Sequence, residues 1–353
     1  MRRAYIDNLR CGIIILVIIY HVFYLFNSLG IISNVAITGM PQMDIVEYAL
    51  YPWFMACLFL IAGVSARHGL EAKGVRAFMR GRVRKILIPS IAGIFLIGWI
   101  GGWVTAQYAD MFAGNGDLIP GVVKYFVYCF AGIGPFWFLH ELFFCTLILL
   151  LVRRLDRKDR LWTLGGRADK LWVLCLLFFA VWGSSLIGNM PLIEVYRNGF
   201  YLLFFLLGYY VFSHDEVQAV LERFWLPLLS AAVLIGGVYV VRFWGESYAS
   251  MESLKNALTN AYAWFMTLAL LGTAGRWWNR ETGFTRFMRG RSFAYYVLHM
   301  PLMIIITYVM DKNFEIKFPL FYFILAALEA VLLPVCCRVL CRLPVVKRLL
   351  FGL

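Results

Sequence analysis

Apolar runs of about 18 residues or more recur along almost the whole of this chain, and little else constrains a fold so tightly. Hydrocarbon offers no partner to a bare backbone amide or carbonyl, so each run can cross a bilayer only as a helix. Composition agrees: 62% of the 353 residues are hydrophobic and 15% charged, where soluble domains carry about 45–50% and about 25%. No long polar segment is left over for a soluble domain. The expected fold is an all-α, polytopic integral membrane protein forming one domain over residues 1–353.

Hydropathy places ten spans, at 11–32, 48–66, 86–106, 132–152, 171–188, 199–213, 225–243, 257–275, 293–310 and 319–340. The stretch 121–131 reads as a re-entrant or interfacial piece. The opening "MRRAYIDNLRCGIIILVIIYHVFYLF" is taken as a retained span and not a signal peptide. Its apolar run outlasts an h-region, and no small-residue cleavage site follows.

Charge then sets orientation. With the N-terminus inside, the inner segments hold 27 Lys and Arg and the outer loops hold 6. Basic excess marks cytoplasmic loops, so both termini are expected in the cytoplasm. The same asymmetry accounts for the net charge of +13. Anionic lipid head groups meet these loops, and no nucleic-acid partner is called for. The eight cysteines lie in or beside apolar stretches. They form no CxxC pair or Cys/His cluster with metal-ligand spacing, so no metal is expected.

The polar residues inside the oil carry the functional signal. Arg10 and His21 are eleven positions apart, about 20° after three full turns and roughly 16 Å along a helix, so they share a face. Asp7 sits one turn before Arg10, in reach as an i,i+3 partner. An ionisable group within a span is costly and is commonly functional. The plainer alternative is an Arg10 that anchors by snorkelling and a His21 that bonds a neighbouring helix. His299, in "SFAYYVLHMPLM", is followed at one remove by Pro301, whose missing amide frees a carbonyl and suits a helix lining a cavity. Glu141 and Glu329 also fall within spans, where each must be protonated, paired or facing water. Before the third span, "RHGLEAKGVRAFMRGRVRKILIP" gathers basic residues. Arg80, Arg82, Arg84 and Lys85 are placed either to meet an anionic ligand at the membrane surface or only to set topology.

In order and spacing these features resemble the bacterial acyltransferase-3 membrane family. "YIDNLR" with Arg10, ten residues and His21 resembles its opening motif. Arg82 and Lys85 match its Arg-x-x-Arg element, with Lys in the last place. "FWFL" at 136–139 is similar to its Trp-Phe-Leu element, and "YYVLHMPL" at 295–302 to its Tyr-x-x-His-x-Pro-like stretch. The ending "RLPVVKRLLFG" looks like the tail of its glucan-modifying members, the periplasmic glucan succinyltransferases among them. The resemblance covers essentially the whole chain, without the fused extracytoplasmic hydrolase-like domain of some members.

The resemblance implies transfer of an acetyl or succinyl group from cytoplasmic acyl-CoA, acetyl-CoA first, to a hydroxyl of an extracytoplasmic or lipid-linked glycan. It implies a multi-pass protein of the bacterial cytoplasmic (inner) membrane. Carried over are Arg10, His21, Arg82, Lys85 and, less directly, His299. Beside the resemblance, the residues themselves suggest that basic groups at the inner rim, Arg84 among them, would hold the coenzyme phosphates, and that Asp7 would orient or neutralise Arg10. His21 would act either as general base or as covalent acyl carrier. The competing reading is a membrane transporter or exporter using Arg10, His21, Glu141, Glu329 and His299 as a pathway. Neither a sequence repeat nor a matched pair of broken helices supports it.

The charge asymmetry makes a direct prediction. Reporters fused at residue 115 or 247 should read as extracytoplasmic, and those at 160 or 284 as cytoplasmic. A cytoplasmic signal at 115 would overturn the span count.

Overall fold

The structure, a computed structural model, describes residues 4–190 and 196–353. Arg2 and Arg3, part of the basic N-terminus counted above, lie outside the described residues. Among the described residues the architecture is all-α, and the only strand-like pairing is an isolated bridge between Asn189 and Arg197. The principal helices are α1 (Ala4–Tyr24), α2 (Phe54–Arg82, broken by a kink at Gly74), α3 (Trp99–Tyr108), α4 (Gly121–Ala131), α5 (Phe136–Leu155) and α6 (Leu171–Ser184). They continue with α7 (Asn198–Tyr210), α8 (Trp225–Phe243), α9 (Ala257–Trp277), α10 (Ser292–Asn313), α11 (Leu320–Leu340) and α12 (Pro344–Phe351). Between α2 and α3 the chain stays helical, with π-helical turns at Val83–Leu87 and Ile94–Gly98 around α-helical Ile88–Gly93.

Each apolar segment read from the sequence overlaps a helix. Among the described residues six helical stretches are long and apolar enough to cross a membrane, and Gly121–Ala131 and Leu171–Ser184 are shorter apolar helices. The exposed faces fit a lipid solvent. On α8, Val233, Leu234, Val238 and Val241 are all exposed, Val241 at 82%, while Ala232, Gly236, Tyr239 and Phe243 are buried. Such an outward apolar face is unstable in water and natural in hydrocarbon. On α11, Phe323, Val331 and Val339 repeat the arrangement. The chain is a multi-pass membrane protein.

The first span differs from the expected 11–32. Its helix begins at Ala4 and ends at Tyr24, so Asp7 and Arg10 lie within it. Asn27 explains the end. Its side-chain amide donates to the Tyr24 carbonyl at 3.0 Å and the Ile31 carbonyl at 2.8 Å, and its oxygen accepts from the Ile31 amide at 2.9 Å. Local side-chain bonds of this kind compete with the helical ladder and stop it.

The chain divides into two compact units. The first takes the chain through Leu16, Tyr48–Arg80 and Glu141–Arg289; the second takes Val17–Glu47, Gly81–His140 and Gly290–Leu353. Helix α1 contributes to both. In the first unit α2 and α7 pack backbone to backbone: a Cβ on Gly63 would run into the Phe205 carbonyl, and one on Gly208 into the Leu60 carbonyl. Small residues permit such close approach, which replaces the hydrophobic drive that lipid removes. In the second unit Val22, Phe26, Val104, Met303, Ile304 and Leu325 join α1, α3, α10 and α11 in one buried cluster.

Gly208→Val forces α2 and α7 apart and should destabilise the fold by about 1–3 kcal/mol, the usual scale of overpacking. Thermal unfolding in detergent measures this. Gly237→Ala on α8, where an added Cβ meets nothing within 4 Å, is the control and should match wild type.

Candidate functional site

His21 and His299 come together in the second unit. His21 lies on α1 and is half-buried; His299 lies on α10 and is fully buried. Their rings sit at a 4.9 Å centroid separation, with His299 Nε2 3.3 Å from His21 Nδ1. Each ring is also tied to backbone. His21 Nδ1 lies 2.7 Å from the Val17 carbonyl, and His299 Nδ1 lies 2.6 Å from the Tyr296 carbonyl.

These contacts assign the protons. A carbonyl only accepts, so each Nδ1 must carry the hydrogen. His299 Nε2 then holds a lone pair that accepts from His21 Nδ1–H, a proton shared with the Val17 carbonyl. The chain of bonds leaves His21 Nε2 as a bare lone pair with no hydrogen-bond partner among the described residues. An imidazole fixed in this way can take a proton or attack a carbonyl carbon, and its orienting neighbours stabilise the charge that results.

The motif residues build the frame around this pair. The Tyr296 hydroxyl donates to the Pro135 carbonyl at 2.9 Å, and the Phe138 ring meets the Tyr296 ring edge-on at 5.5 Å. The stretches "FWFL" and "YYVLHMP" thus pack on each other beside His299. Pro301 lies inside α10, as its position after His299 suggested.

Arg10 has its own partners in the first unit. Its guanidinium donates to Asp7 at 3.1 Å, one turn back along α1, and to the Ser65 hydroxyl of α2 at 2.8 Å. The Ser65 hydroxyl in turn donates to the Ile61 carbonyl at 2.8 Å. Asp7 also lines a cavity of about 80 Å³ with Ala4, Asn8, Glu281, Thr285 and Arg289. Nothing in the sequence pointed to Ser65, which is 55 residues away and carries no periodic signal.

The basic stretch divides by environment. Arg82 ends α2 and is half-buried, whereas Arg84 and Lys85 are exposed on the π-helical turn that follows. A π-turn bulges the helix and often accompanies functional positions.

The two membrane carboxyls fare differently. The Asn198 amide, turned to donate, meets the Glu141 carboxylate at 3.1 and 3.3 Å. Neighbouring Arg197, unremarked in the sequence, is 2% exposed and donates to the Leu254 carbonyl at 2.9 Å and to Asn260 at 3.1 Å. It stacks on Phe200 at 3.7 Å. Glu329 is 1% exposed, and neither of its oxygens has a hydrogen-bond partner among the described residues.

Comparison with known proteins adds three findings. The family described as "Acyltransferase domain" matches residues 3–338. Similar proteins include those named "Glucans biosynthesis protein C" from Salmonella heidelberg (strain SL476), Salmonella agona (strain SL483) and Salmonella choleraesuis (strain SC-B67). Each is 21% identical over 320 residues, spanning 85% of this chain and 82% of the relative. No solved structure matches the chain significantly.

The proton assignment is open to measurement. Nitrogen-15 NMR of histidine-labelled protein in bilayers should show His21 with protonated Nδ1 and bare Nε2 at neutral pH. With five histidines in the chain, His21→Asn identifies the signal by its loss. A His21 protonated on Nε2 alone would refute the arrangement.

Proposed function

We propose, on the premise that this chain belongs to the acyltransferase-3 family and is an acyltransferase, that it carries an acetyl or succinyl group from cytoplasmic acyl-CoA to a glycan hydroxyl. The acceptor is extracytoplasmic or lipid-linked, and the protein works in the bacterial cytoplasmic membrane as one acyltransferase domain. The name of the Salmonella relatives supports the glycan class. The 27-to-6 basic asymmetry supports ten spans with cytoplasmic termini.

The observation that carries the mechanism is the bare Nε2 of His21, held by the Val17 carbonyl and His299. As general base, Nε2 takes the proton of the acceptor hydroxyl. The oxygen attacks the thioester carbonyl, the carbon–sulfur bond breaks, and the departing thiolate receives the proton back. As nucleophile, Nε2 would first take the acyl group itself and pass it to the hydroxyl afterwards. His299 serves both routes, because its lone pair and the Val17 carbonyl bind the Nδ1 proton more strongly once the ring is positive. Arg10 belongs to the other compact unit. Held by Asp7 and Ser65, it offers a positioned cation to the oxygen atoms of donor or acceptor. Arg82, Arg84 and Lys85 are the residues for the donor phosphates. The transporter alternative is left with no observation of its own.

The test is label transfer from acetyl-CoA by membranes holding the protein, with mass spectrometry of the glycans. His21→Asn keeps polarity and approximate size but cannot take a proton at neutral pH. It should lose about 10²–10⁴-fold in rate, the usual contribution of a general base. Near wild-type transfer by the inserted Asn variant would make His21 structural and defeat the mechanism.

A further inference from the structure

The sequence ends in a basic, apolar segment that the mechanism above does not use. In the structure "PVVKRLLF" forms α12, opened by Pro344 at its first turn and closed at Gly352. Proline at a helix start and glycine after its end are the favoured punctuation. Leu350 and Phe351 are buried, fixing one face of α12 to the second unit. Gly352 adopts φ +63°, and its backbone lies so close to the Arg84 carbonyl and the Lys85 Cα that a Cβ there would collide with them. The C-terminal helix is therefore docked on the π-helical turn that carries Arg84 and Lys85.

Between these two pieces lies an open groove of about 440 Å³. Its cations are Arg84 from the turn and Lys347 and Arg348 from α12, beside apolar Val345, Leu349 and Leu353. No acidic side chain lines it. None of the three cations has an ion-pair partner among the described residues. Three such cations lining one groove favour a multiply charged anion there. The volume falls within the range of about 300–1,000 Å³ usual for small-molecule sites.

We infer that this groove is the seat of the phosphate-bearing end of the donor, with Lys347 and Arg348 joining Arg84 to hold the pyrophosphate and ribose phosphate of acyl-coenzyme A. The inference rests on the acyl-CoA reading above and extends it to a segment far away in sequence. Arginine pairs with phosphate oxygens in a fork, and lysine acts as a point charge. The apolar wall of Val345 and Leu349 takes the flat face of the adenine. Charge and shape together favour this occupant over a bare phosphate, which needs no apolar wall.

The experiment compares donors with and without phosphates. Full-length protein in phosphatidylcholine nanodiscs is assayed with acetyl-CoA and with acetyl-pantetheine, which keeps the thioester and lacks the nucleotide. Coenzyme A binding is measured by calorimetry in the same discs. Lys347→Gln with Arg348→Gln should raise KM for acetyl-CoA and weaken coenzyme A binding about tenfold, a loss carried by KM and much larger with acetyl-CoA than with acetyl-pantetheine. Lys347→Arg with Arg348→Lys keeps the charge and should recover most of the affinity. A double Gln variant that binds coenzyme A as tightly as wild type refutes the groove and spares the donor reading. Equal loss with both donors means that α12 acts on folding alone, and refutes it also. Loss of phosphatidylglycerol retention in mixed-lipid discs without loss of coenzyme affinity assigns the groove to lipid and overturns the inference. A wild-type protein that binds no coenzyme A overturns the donor reading and the groove together.

Discussion

A backbone amide has nothing to bond to in hydrocarbon, and the organisation of this protein follows from that constraint. Every described apolar segment has to close its hydrogen bonds within itself, which only a helix does. The chain obeys even where it is irregular. From Val83 to Tyr108 the helix changes pitch through two π-turns and never opens its backbone. Where the first helix does stop, Asn27 supplies the missing bonds from its own side chain.

Lipid on the outside also removes the ordinary reason for helices to associate. What holds them here is close packing and polar contact. Gly63 and Gly208 let two backbones touch, and several polar groups take partners across helices. Arg10 reaches Ser65, Glu141 meets Asn198, and Arg197 reaches Asn260. A surface ion pair such as Arg10–Asp7 adds little to stability by itself, because both groups keep some exposure. Its value lies in positioning: a guanidinium held by two acceptors presents its remaining N–H groups in a fixed direction. Glu329 stands apart from this scheme, buried with neither oxygen bonded among the described residues.

The histidine pair follows the same logic at the level of chemistry. Burial among aromatic rings leaves an imidazole few partners, so two backbone carbonyls and one neighbouring ring decide where its protons sit. Acyl transfer needs a group that is a base before attack and an acid after it. In the proposed reaction that group is the His21 ring, whose far nitrogen has no hydrogen-bond partner among the described residues and whose near nitrogen is doubly accepted.

The sequence by itself determined the helical, membrane-spanning class, because the length and apolarity of a segment set its preference for the bilayer wherever it ends up. It also determined the Arg10–Asp7 contact, since helix geometry alone fixes neighbours one turn apart. The boundary of the first helix escaped, because Asn27 reads as one more polar residue until its partners are known. Tertiary structure alone decided that His299 faces His21, that Ser65 meets Arg10, and that the C-terminal helix lies against Arg84. Those partners are separated by 278 residues in the first case and 55 in the second. No periodicity spans such distances. Which faces meet is decided by how whole helices pack, through small residues and shared hydrogen bonds that carry no signal in one dimension.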